Sequence, residues 1–565
     1  MAEIKKIVDI AMGREKAHLV LKNVLIINVF SQIIEKNDIA ICDDMIAGIG
    51  SYDGIEEIDC EGMFAAPGFI DSHVHIESSM VTPEVFSQIA LKHGVTTVVA
   101  DPHEIANVMG DKGIDFMLEN SKKSVMDIFF MLPSCVPATE FEDSGAVLNS
   151  YQLSRFIQND RVLGLGEVMD VQAVTNAKTQ MVDKLELCRD KNIDGHCPKI
   201  SGEALNAYLN CRIKTDHECS SFEEALRKVE RGMFVMLRQG SATKNLKDLL
   251  PAVKNENYHR FLFCTDDRHI EDLLLEGSID NCIRLAIEEG LDPIKAYIIA
   301  AFNAAQCYGL NDRGAIAPGF KADIVVFQDL KNLEIQYVFK DGKRNDKPMH
   351  FTNINMKSTM NTQYISSDLF RIEARGEKVN VIKLISRSVE TLVEKRKIYI
   401  DGGYISKVDG EDILKIGVFE RHKNTGKYSI GFLEGLGLKN CSLAQTISHD
   451  SHNIVVVGDN DKDMEIAVNT LIAIGGGIVL VSQRKILDSL SLPIAGLITS
   501  ENPYEVNMKV KNLSDIARKF GVSKDFDPFL TLGFMALSVI PKLKITSRGL
   551  FDFDKFSFID LFAKE

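Results

Sequence analysis

The stretch from Pro67 to Ser79, PGFIDSHVHIESS, decides how the fold is read from the sequence. Two of the 13 histidines in the chain, His73 and His75, lie two residues apart directly after an apolar run. Because side chains alternate along a β-strand, both imidazoles are expected on the same face. Two imidazoles that point the same way can bind one metal ion. The motif therefore predicts a strand that ends in metal ligands, although a pair of surface histidines can have the same spacing.

From Pro67 onward, short apolar runs alternate with helical segments, which is the pattern of βα units and a parallel sheet. Eight such runs occupy residues 69–76, 96–102, 127–134, 162–169, 193–198, 213–218, 234–240 and 261–267. Eight consecutive βα units are typical of a TIM-type (β/α)8 barrel. We therefore predict an α/β protein whose barrel occupies residues 67–309.

The segments on both sides of the barrel have a different pattern. Residues 1–66 contain, after a short helix, the strand-like runs LVLKN, LIINVF, IAICDD and MIAGIG, separated by polar or glycine turns. Strand-like sequence returns after Tyr308, so we predict one small, discontinuous β domain from residues 1–66 and 310–355. Residues 360–565 mix strands and helices and are predicted to form a separate C-terminal α+β domain.

Composition narrows the range of partners and the cellular location. The formal net charge is −15, which argues against nucleic acid or an anionic membrane as a partner. No signal peptide and no apolar run long enough to span a bilayer are recognised. Eleven cysteines without a CxxC pair indicate free thiols in a reducing compartment. The expected location is the cytoplasm, and a homo-oligomer remains compatible with the sequence.

Six residues with metal-ligand side chains lie at the predicted C-terminal ends of barrel strands, where TIM-barrel active sites are built. They are His73, His75, Glu167, His196, His217 and Asp266. Four imidazoles and two carboxylates suit a pair of divalent transition metals, and Glu167 is placed to bridge them. Any one of these residues alone could be a buried core histidine or a helix-capping acid. All six together, in this order, favour a metal site.

The segments PGFIDSHVHIESSM, DPHEIANVMG, GLGEVMD, DGHCPKISGEALNAYL, TDHE and MLRQGSA resemble the amidohydrolase superfamily and, within it, the adenine deaminases of bacteria and archaea. The similarity covers nearly the whole chain and includes SHDSHN at 448–453. Many superfamily members use a carboxylated lysine as the metal bridge, whereas this chain has Glu167.

The resemblance implies a hydrolase that acts on a C–N bond of a cyclic amidine and converts adenine to hypoxanthine and ammonia with a metal-activated hydroxide. It implies a binuclear site for Mn²⁺ or Fe²⁺, and Zn²⁺ also suits the ligands. Asp266 and Glu167 are the expected catalytic residues, with Asp266 transferring a proton from the attacking water toward the leaving amine. The expected role is in purine salvage or catabolism.

Several further residues are candidates for contacts with the substrate. Glu77, Asp101, His103 and Glu104 follow the first two strands, and the group that protonates N1 of the purine is left open among them. Arg238 ends the seventh strand and either orients substrate or pairs with a carboxylate, and Asp267 is a candidate supporting residue. His449, Asp450 and His452 of SHDSHN could bind a third metal, face solvent, or reach the barrel mouth. The resemblance favours the last alternative, in which they close the site over adenine.

Two other interpretations compete with adenine deamination. The first is a cyclic amidohydrolase of the dihydropyrimidinase or dihydroorotase type, which usually has a lysine in place of Glu167 and lacks SHDSHN. The second is a catalytically inactive barrel that acts as a binding protein, against which the complete ligand set argues. A nucleic-acid-editing deaminase is disfavoured by the charge and by the absence of its H-x-E and P-C-x-x-C motifs.

Overall fold

The computed structural model describes residues 4–346, 348–386 and 388–563. A (β/α)8 barrel forms its centre, as predicted from the eight apolar runs. The eight barrel strands, called first to eighth below, are Phe69–His75, Val95–Ala100, Asp127–Leu132, Val162–Val168, Asn192–Gly195, Thr215–Asp216, Phe234–Arg238 and Phe261–Cys264.

All hydrogen-bonded neighbours in the barrel are parallel. The two-residue strand Asp266–Asp267, which continues the eighth strand, pairs with the first strand and closes the ring on that side. The fifth and sixth strands are joined by a hydrogen bond from the backbone N–H of Lys214 to the carbonyl of Ile193, at 3.2 Å. The barrel is therefore closed, and the carboxyl ends of all its strands lie at one face.

Helices follow the barrel strands and pack around them. They are Pro83–Ala90, His103–Met109, Asp111–Ser121, Ser150–Ser154, Val171–Thr175, Thr179–Leu187, Gly202–Asn210, Phe222–Val229, Leu246–Leu249, Ile270–Leu275, Ile279–Glu288, Pro293–Tyr297 and Asn303–Tyr308. One apolar cluster lies between strands and helices, and a second, around Ile70, Val99 and Met236, fills the barrel.

A small sheet combines strands from both sides of the barrel, beside the N-terminal helix Ile4–Ala11. Its strands are Ala17–Asn28, Ile33–Cys42, Met45–Gly50, Gly54–Asp59, Phe64–Pro67, Ile324–Phe327, Ile335–Lys340 and Lys343–Arg344. The prediction of LVLKN and LIINVF as two strands was wrong, because LVLKN and the first four residues of LIINVF belong to the single strand Ala17–Asn28. The register shifts between Leu21 and Val24, and Asn23 has a φ of 56°. The polar pair that suggested a turn is thus a β-bulge inside one strand.

The C-terminal domain contains a nine-stranded sheet and a separate three-stranded sheet. The large sheet consists of Lys378–Leu384, Thr391–Asp401, Tyr404–Val408, Ile413–Phe419, Tyr428–Glu434, Ser442–Gln445, Ile454–Gly458, Gly477–Ser482 and Lys485–Ser491. The small sheet consists of Leu543–Thr546, Gly549–Asp552 and Ser557–Ile559, and the helices are Asp461–Ile474, Pro503–Lys519 and Pro528–Gly533. Among the described residues, none of the helices has the length and apolar character needed to cross a bilayer.

The C-terminal domain packs on the carboxyl-end face of the barrel. Thr499 exchanges backbone hydrogen bonds with Thr82 and Met80 after the first strand, at 3.1 and 2.9 Å. Asp143, in the loop after the third strand, pairs with Arg548 at 2.7 Å and Lys427 at 3.2 Å. The domain thereby covers the edge of the barrel where the predicted ligands lie.

Lys228 carries a structural ion pair under the sixth strand. Its ammonium group is fully buried and donates to Asp216, Glu224 and the carbonyl of Cys197, each at 2.8 Å. Removal of one partner of a buried pair leaves the other charge uncompensated. Asp216 directly precedes the candidate ligand His217, so this pair also holds the strand end in place.

We expect Lys228→Ala to lower the free energy of unfolding by about 3–5 kcal/mol. Urea or thermal unfolding followed by circular dichroism measures the change. The matched control is Lys247→Ala, which removes an exposed pair with Glu289 and should leave the unfolding midpoint nearly unchanged. Equal midpoints for both variants would contradict a structural role for Lys228.

Candidate active site

The six predicted ligand residues converge at the carboxyl ends of the barrel strands. His73 and His75 end the first strand, Glu167 lies near the end of the fourth, and Asp266 follows the eighth. His196 and His217 directly follow the fifth and sixth strands. All except His196 are buried. The parallel barrel thus brings together side chains that are almost 200 residues apart in sequence.

One half of the cluster is formed by residues of the first, fourth and eighth strands. The Nε2 atoms of His73 and His75 are 3.2 Å apart. The His75 Nε2 atom lies 3.1 Å from Glu167 Oε1 and 3.0 Å from Asp266 Oδ1. The corresponding distances from His73 Nε2 are 3.7 and 3.6 Å.

The other half of the cluster faces the second oxygen of Glu167. Glu167 Oε2 lies 2.8 Å from His196 Nδ1 and 3.4 Å from His217 Nε2. The rings of His73 and His217 stack with centroids 4.2 Å apart, so the two halves are adjacent. The Glu167 carboxylate therefore has one oxygen toward each half.

This donor set fits two divalent metal ions. Imidazole nitrogens and carboxylate oxygens are typical ligands of Zn²⁺, Mn²⁺ and Fe²⁺. The potential ligand atoms include the sets His73–His75–Glu167, His73–His217–Asp266 and Glu167–His196–His217, each with its atoms within 4.8 Å of one another. Glu167 Oε1 is buried and has no hydrogen-bond partner among the described residues, as expected for an oxygen that accepts a cation.

Neighbouring backbone and side-chain groups orient these ligands. His75 Nδ1 lies 2.9 Å from the carbonyl oxygen of Asp101, which leaves Nε2 free toward the cluster. Asp101 accepts the backbone N–H of Glu167 at 3.1 Å. A Cβ atom at Gly166 would lie 1.9 Å from the Asp101 carboxylate, so only glycine permits this approach. Gly166 is therefore required directly before the candidate ligand Glu167.

The carboxylates of the cluster remain ionised although they are buried. Burial alone would raise the pKa of the Glu167 carboxyl, but its contacts with His103, His196 and His217 hold that pKa well below the usual range. Burial also acts to raise the pKa of Asp266, and the guanidinium of Arg238 outweighs it and lowers that pKa. Both groups are thus anionic at neutral pH and are suitable candidate ligands for a cation.

Arg238 contacts carboxylates, which was one of the two alternatives left open for it. Its Nη1 atom donates to Asp266 Oδ2 at 2.5 Å and also contacts Glu218. Glu218 was missed in the sequence analysis, yet its Oε1 lies 3.7 Å from His217 Nε2 and 4.0 Å from His196 Nδ1. Its position directly after His217 in TDHE was the available signal.

Glu77 and Asp267 face groups of the surrounding loops. Glu77 Oε1 accepts the backbone N–H of Ile105 at 3.1 Å, and burial raises the pKa of Glu77 to about 7. Asp267 accepts a hydrogen bond from Ser78 Oγ at 2.5 Å. These contacts connect the loop after the first strand to the second and eighth βα units.

His103 lies between the ligand cluster and the C-terminal domain. Its Nδ1 atom is 3.3 Å from Glu167 Oε1 and 3.6 Å from Asp101 Oδ1. Its Nε2 atom is 3.8 Å from Asp450 Oδ1, which is longer than a hydrogen bond. The His103 ring is therefore the boundary between the buried ligands and the SHDSHN segment.

The SHDSHN segment reaches the barrel through Glu104. His449 Nδ1 lies 2.5 Å from Glu104 Oε1, and His452 Nε2 contacts Glu104 Oε2. Glu104, His449 and His452 are all buried. Burial would lower the pKa of His449, but Glu104 raises it to about 9, so this contact is an ion pair at neutral pH. The segment is thus buried against the first turn of the helix His103–Met109, which follows the second barrel strand.

Two protein-family models match the chain. Residues 64–344 match the model described as Amidohydrolase family. Residues 388–557 match the model described as Adenine deaminase C-terminal domain. The amidohydrolase match covers the barrel with its ligand cluster, and the second match covers most of the domain that contains SHDSHN.

Curated relatives are similar over essentially the whole chain. The chain is 46% identical to "Adenine deaminase 2" of Carboxydothermus hydrogenoformans, with 99% of each chain covered. It is 44% identical to "Adenine deaminase" of Clostridium acetobutylicum, with 98% of this chain and all of the relative covered. It is 45% identical to "Adenine deaminase" of Bacillus subtilis, with 97% of each covered. The chain therefore belongs to the adenine deaminase family of amidohydrolases, a metal-dependent class of hydrolases.

We expect the purified protein to bind about two transition-metal ions per chain and Glu167→Gln to lose about one of them. A neutral amide is a poor bridge between two cations, whereas the shape of the side chain is unchanged. Inductively coupled plasma mass spectrometry, before and after treatment with a strong chelator, measures metal content. Full metal content and activity in Glu167→Gln would make Glu167 structural.

Proposed function

We propose that the protein hydrolyses adenine to hypoxanthine and ammonia. The observation that carries this proposal is the placement of the Glu167 carboxylate, with one oxygen toward each half of a histidine-rich cluster, in a chain whose full-length relatives are named adenine deaminases. The similarity to full-length adenine deaminases disfavours a dihydropyrimidinase- or dihydroorotase-type activity. The complete ligand set disfavours an inactive barrel.

We propose Mn²⁺ or Fe²⁺ as the native metal, and Zn²⁺ also suits the ligands. His73, His75, Asp266 and Glu167 would hold one ion, and Glu167, His196 and His217 the other. Bound divalent ions of this type lower the pKa of a water molecule from 15.7 to about 7, which supplies the nucleophile at neutral pH. Hydroxide is otherwise scarce at that pH, and C6 of adenine is a weak electrophile.

Asp266 is proposed as the proton carrier of the reaction. Its Oδ1 atom faces the histidine nitrogens, and its Oδ2 atom accepts from Arg238. One oxygen is thus positioned by the guanidinium while the other faces the reacting centre. In this role the carboxylate takes a proton from the attacking water and transfers it to the leaving amine, a contribution of roughly 10²–10⁴-fold. Arg238 acts on Asp266 and is a positioning residue.

His103 is proposed as the substrate contact on the opposite side of the cluster. Of Glu77, Asp101, His103 and Glu104, it is the residue that faces both Glu167 and the C-terminal domain. Asp101 accepts the backbone N–H of Glu167, and Glu104 contacts His449 and His452. Asp101 and Glu104 therefore act by positioning the residues around the purine.

The SHDSHN segment is proposed to cover the barrel mouth over the substrate. A purine needs its polar edges met by protein groups once water is excluded. The Glu104 carboxylate fixes the segment through two histidines, which places Asp450 next to His103. The partner of the protein is accordingly a small molecule, and the cytoplasm is the proposed location.

The activity is tested by incubating metal-loaded protein with adenine and measuring ammonia release. We expect deamination of adenine with kcat/KM far above that for adenosine, because a pocket closed around a free base excludes a ribosyl group. Comparable kcat/KM values for the two substrates would assign the protein to a different specificity. Absence of ammonia release from metal-loaded protein would contradict the proposed function.

The covering segment is tested with His452→Ala. This substitution removes the imidazole that faces Glu104, so it should release the segment and lower kcat/KM for adenine at least ten-fold, which is about 1.4 kcal/mol of transition-state stabilisation. The metal content should be unchanged. The control is His259→Ala, an exposed residue that precedes the eighth strand at the opposite barrel face. Wild-type kinetics in His452→Ala would contradict a covering role.

A further inference from the structure

Two buried carboxyl groups beyond His103 each have an oxygen without a hydrogen-bond donor. They are Asp450, in the SHDSHN segment, and Glu142, in the loop after the third barrel strand. Asp450 is 3% exposed and Glu142 is 4% exposed. Within the described part of the chain, Asp450 Oδ2 and Glu142 Oε2 have no hydrogen-bond partner. Because buried polar atoms are nearly always satisfied, these two oxygens indicate a missing polar ligand.

Glu142 has a serine donor on one oxygen and a raised pKa. Glu142 Oε1 accepts a hydrogen bond from Ser538 Oγ at 2.6 Å. Burial, and then the nearby Asp450 carboxylate, raise the pKa of Glu142 to about 8. A protonated Glu142 offers an O–H donor, and the oxygens of Asp450 offer hydrogen-bond acceptors.

The position of Asp450 relative to the ligand cluster indicates what part of a substrate it meets. The His103 ring separates it from Glu167, with Nδ1 3.3 Å from Glu167 Oε1 and Nε2 3.8 Å from Asp450 Oδ1. A purine whose C6 lies beside the cluster extends its imidazole ring away from it. The edge formed by N3 and N9 is therefore the part that can reach Asp450 and Glu142.

We propose that Asp450 and Glu142 form a subsite for the N3–N9 edge of the free base, in which Asp450 accepts the N9–H and Glu142 donates to N3. This inference rests on the proposed deamination of adenine and adds a specificity determinant to it. Free adenine presents a donor and an acceptor side by side on this edge. A nucleoside has no N9–H, so the Asp450 carboxylate would stay buried without a donor.

The subsite thus selects bases through an unpaired group as well as through steric exclusion. Leaving a buried charged acceptor without a donor costs more free energy than leaving a neutral polar group that water can still reach. Sites that hydrogen-bond a substrate N–H reject an analogue without it by up to roughly 10⁴–10⁵-fold. The ribosyl group adds a clash, so the electrostatic part of the selection is tested with an analogue of unchanged size in wild-type and variant protein.

The experiment compares adenine with 9-deazaadenine, in which position 9 carries C–H with no added bulk and the ring N–H lies at position 7. The contribution of position 9 is therefore read from the change in preference between the wild type and Asp450→Ala. For the wild-type holoenzyme we expect kcat/KM to be at least ~100-fold higher for adenine. In Asp450→Ala this preference should fall to within ~10-fold, mainly through loss of activity on adenine. Glu142→Gln is compared on adenine and 3-deazaadenine, which lacks the N3 acceptor. Because an amide still donates to N3, this variant should lose less of its preference for adenine than Asp450→Ala loses in the comparison with 9-deazaadenine. The matched control is Glu140→Gln, which changes an exposed carboxylate in the same loop.

Binding and metal analysis distinguish the remaining outcomes. Calorimetric titration with hypoxanthine should give a weaker affinity for Asp450→Ala than for the wild type, with unchanged metal content. An equal loss on adenine and 9-deazaadenine in Asp450→Ala would overturn the subsite, and so would equal wild-type turnover of the two compounds. Loss of a third metal equivalent in Asp450→Ala would also overturn it and assign Asp450 to a cation with His103 and Cys135. If the wild-type protein deaminates adenine but gives any of these results, only the subsite proposal is wrong. If the metal-loaded wild-type protein does not deaminate adenine, the proposed function is wrong as well.

Discussion

The arrangement of the active-site face depends on one buried carboxylate, Glu167. Its two oxygens face different histidine pairs, so both halves of the cluster are positioned relative to a single side chain. A buried carboxylate is costly unless it is paired, and here the pairing groups come from the first, second, fifth and sixth βα units. The barrel must therefore hold several strand ends in register before the carboxylate can remain charged. This explains why supporting contacts, such as that between Asp101 and the backbone N–H of Glu167, connect neighbouring strands.

Much of the barrel, and the convergence of the candidate ligands on one face, could be predicted from local sequence. Buried parallel strands are short apolar runs, and each run here corresponds to a strand or to its immediate continuation. The carboxyl ends of such strands meet at one face, so the positions of the histidines already predicted their convergence. Glu218 was missed for a physical reason. Glu218 belongs to the site because it contacts Arg238 on the next strand and lies close to the adjacent histidines. The sequence of one strand does not show contacts with other strands.

Local patterns were less informative where backbone conformation or distant partners decide the structure. The polar pair Lys22–Asn23 is typical of a turn, but pairing with a neighbouring strand on each side keeps the chain extended through a bulge. The SHDSHN segment is equally compatible with solvent, a metal or the barrel mouth. Its partner Glu104 lies 345 residues from His449, and only the packing of one domain on the other brings the two together. Resemblance to a family could suggest this contact, whereas spacing and periodicity could not.

The C-terminal domain also has a physical reason to be present in a barrel enzyme. The segments after the first three strands carry buried polar residues, namely Glu77, Asp101, His103, Glu104 and Glu142. Without a cover, water would solvate these groups and weaken every electrostatic interaction among them. The domain supplies directed contacts in place of water: Thr499 reaches the segment after the first strand, His449 and His452 reach the helix after the second, and Arg548 reaches the loop after the third. Because each contact reaches a different βα unit, the domain fixes their relative positions as well as excluding solvent. Under the proposed function, a pocket closed in this way favours a small planar base over a larger substrate, and the covering domain is then part of the active site.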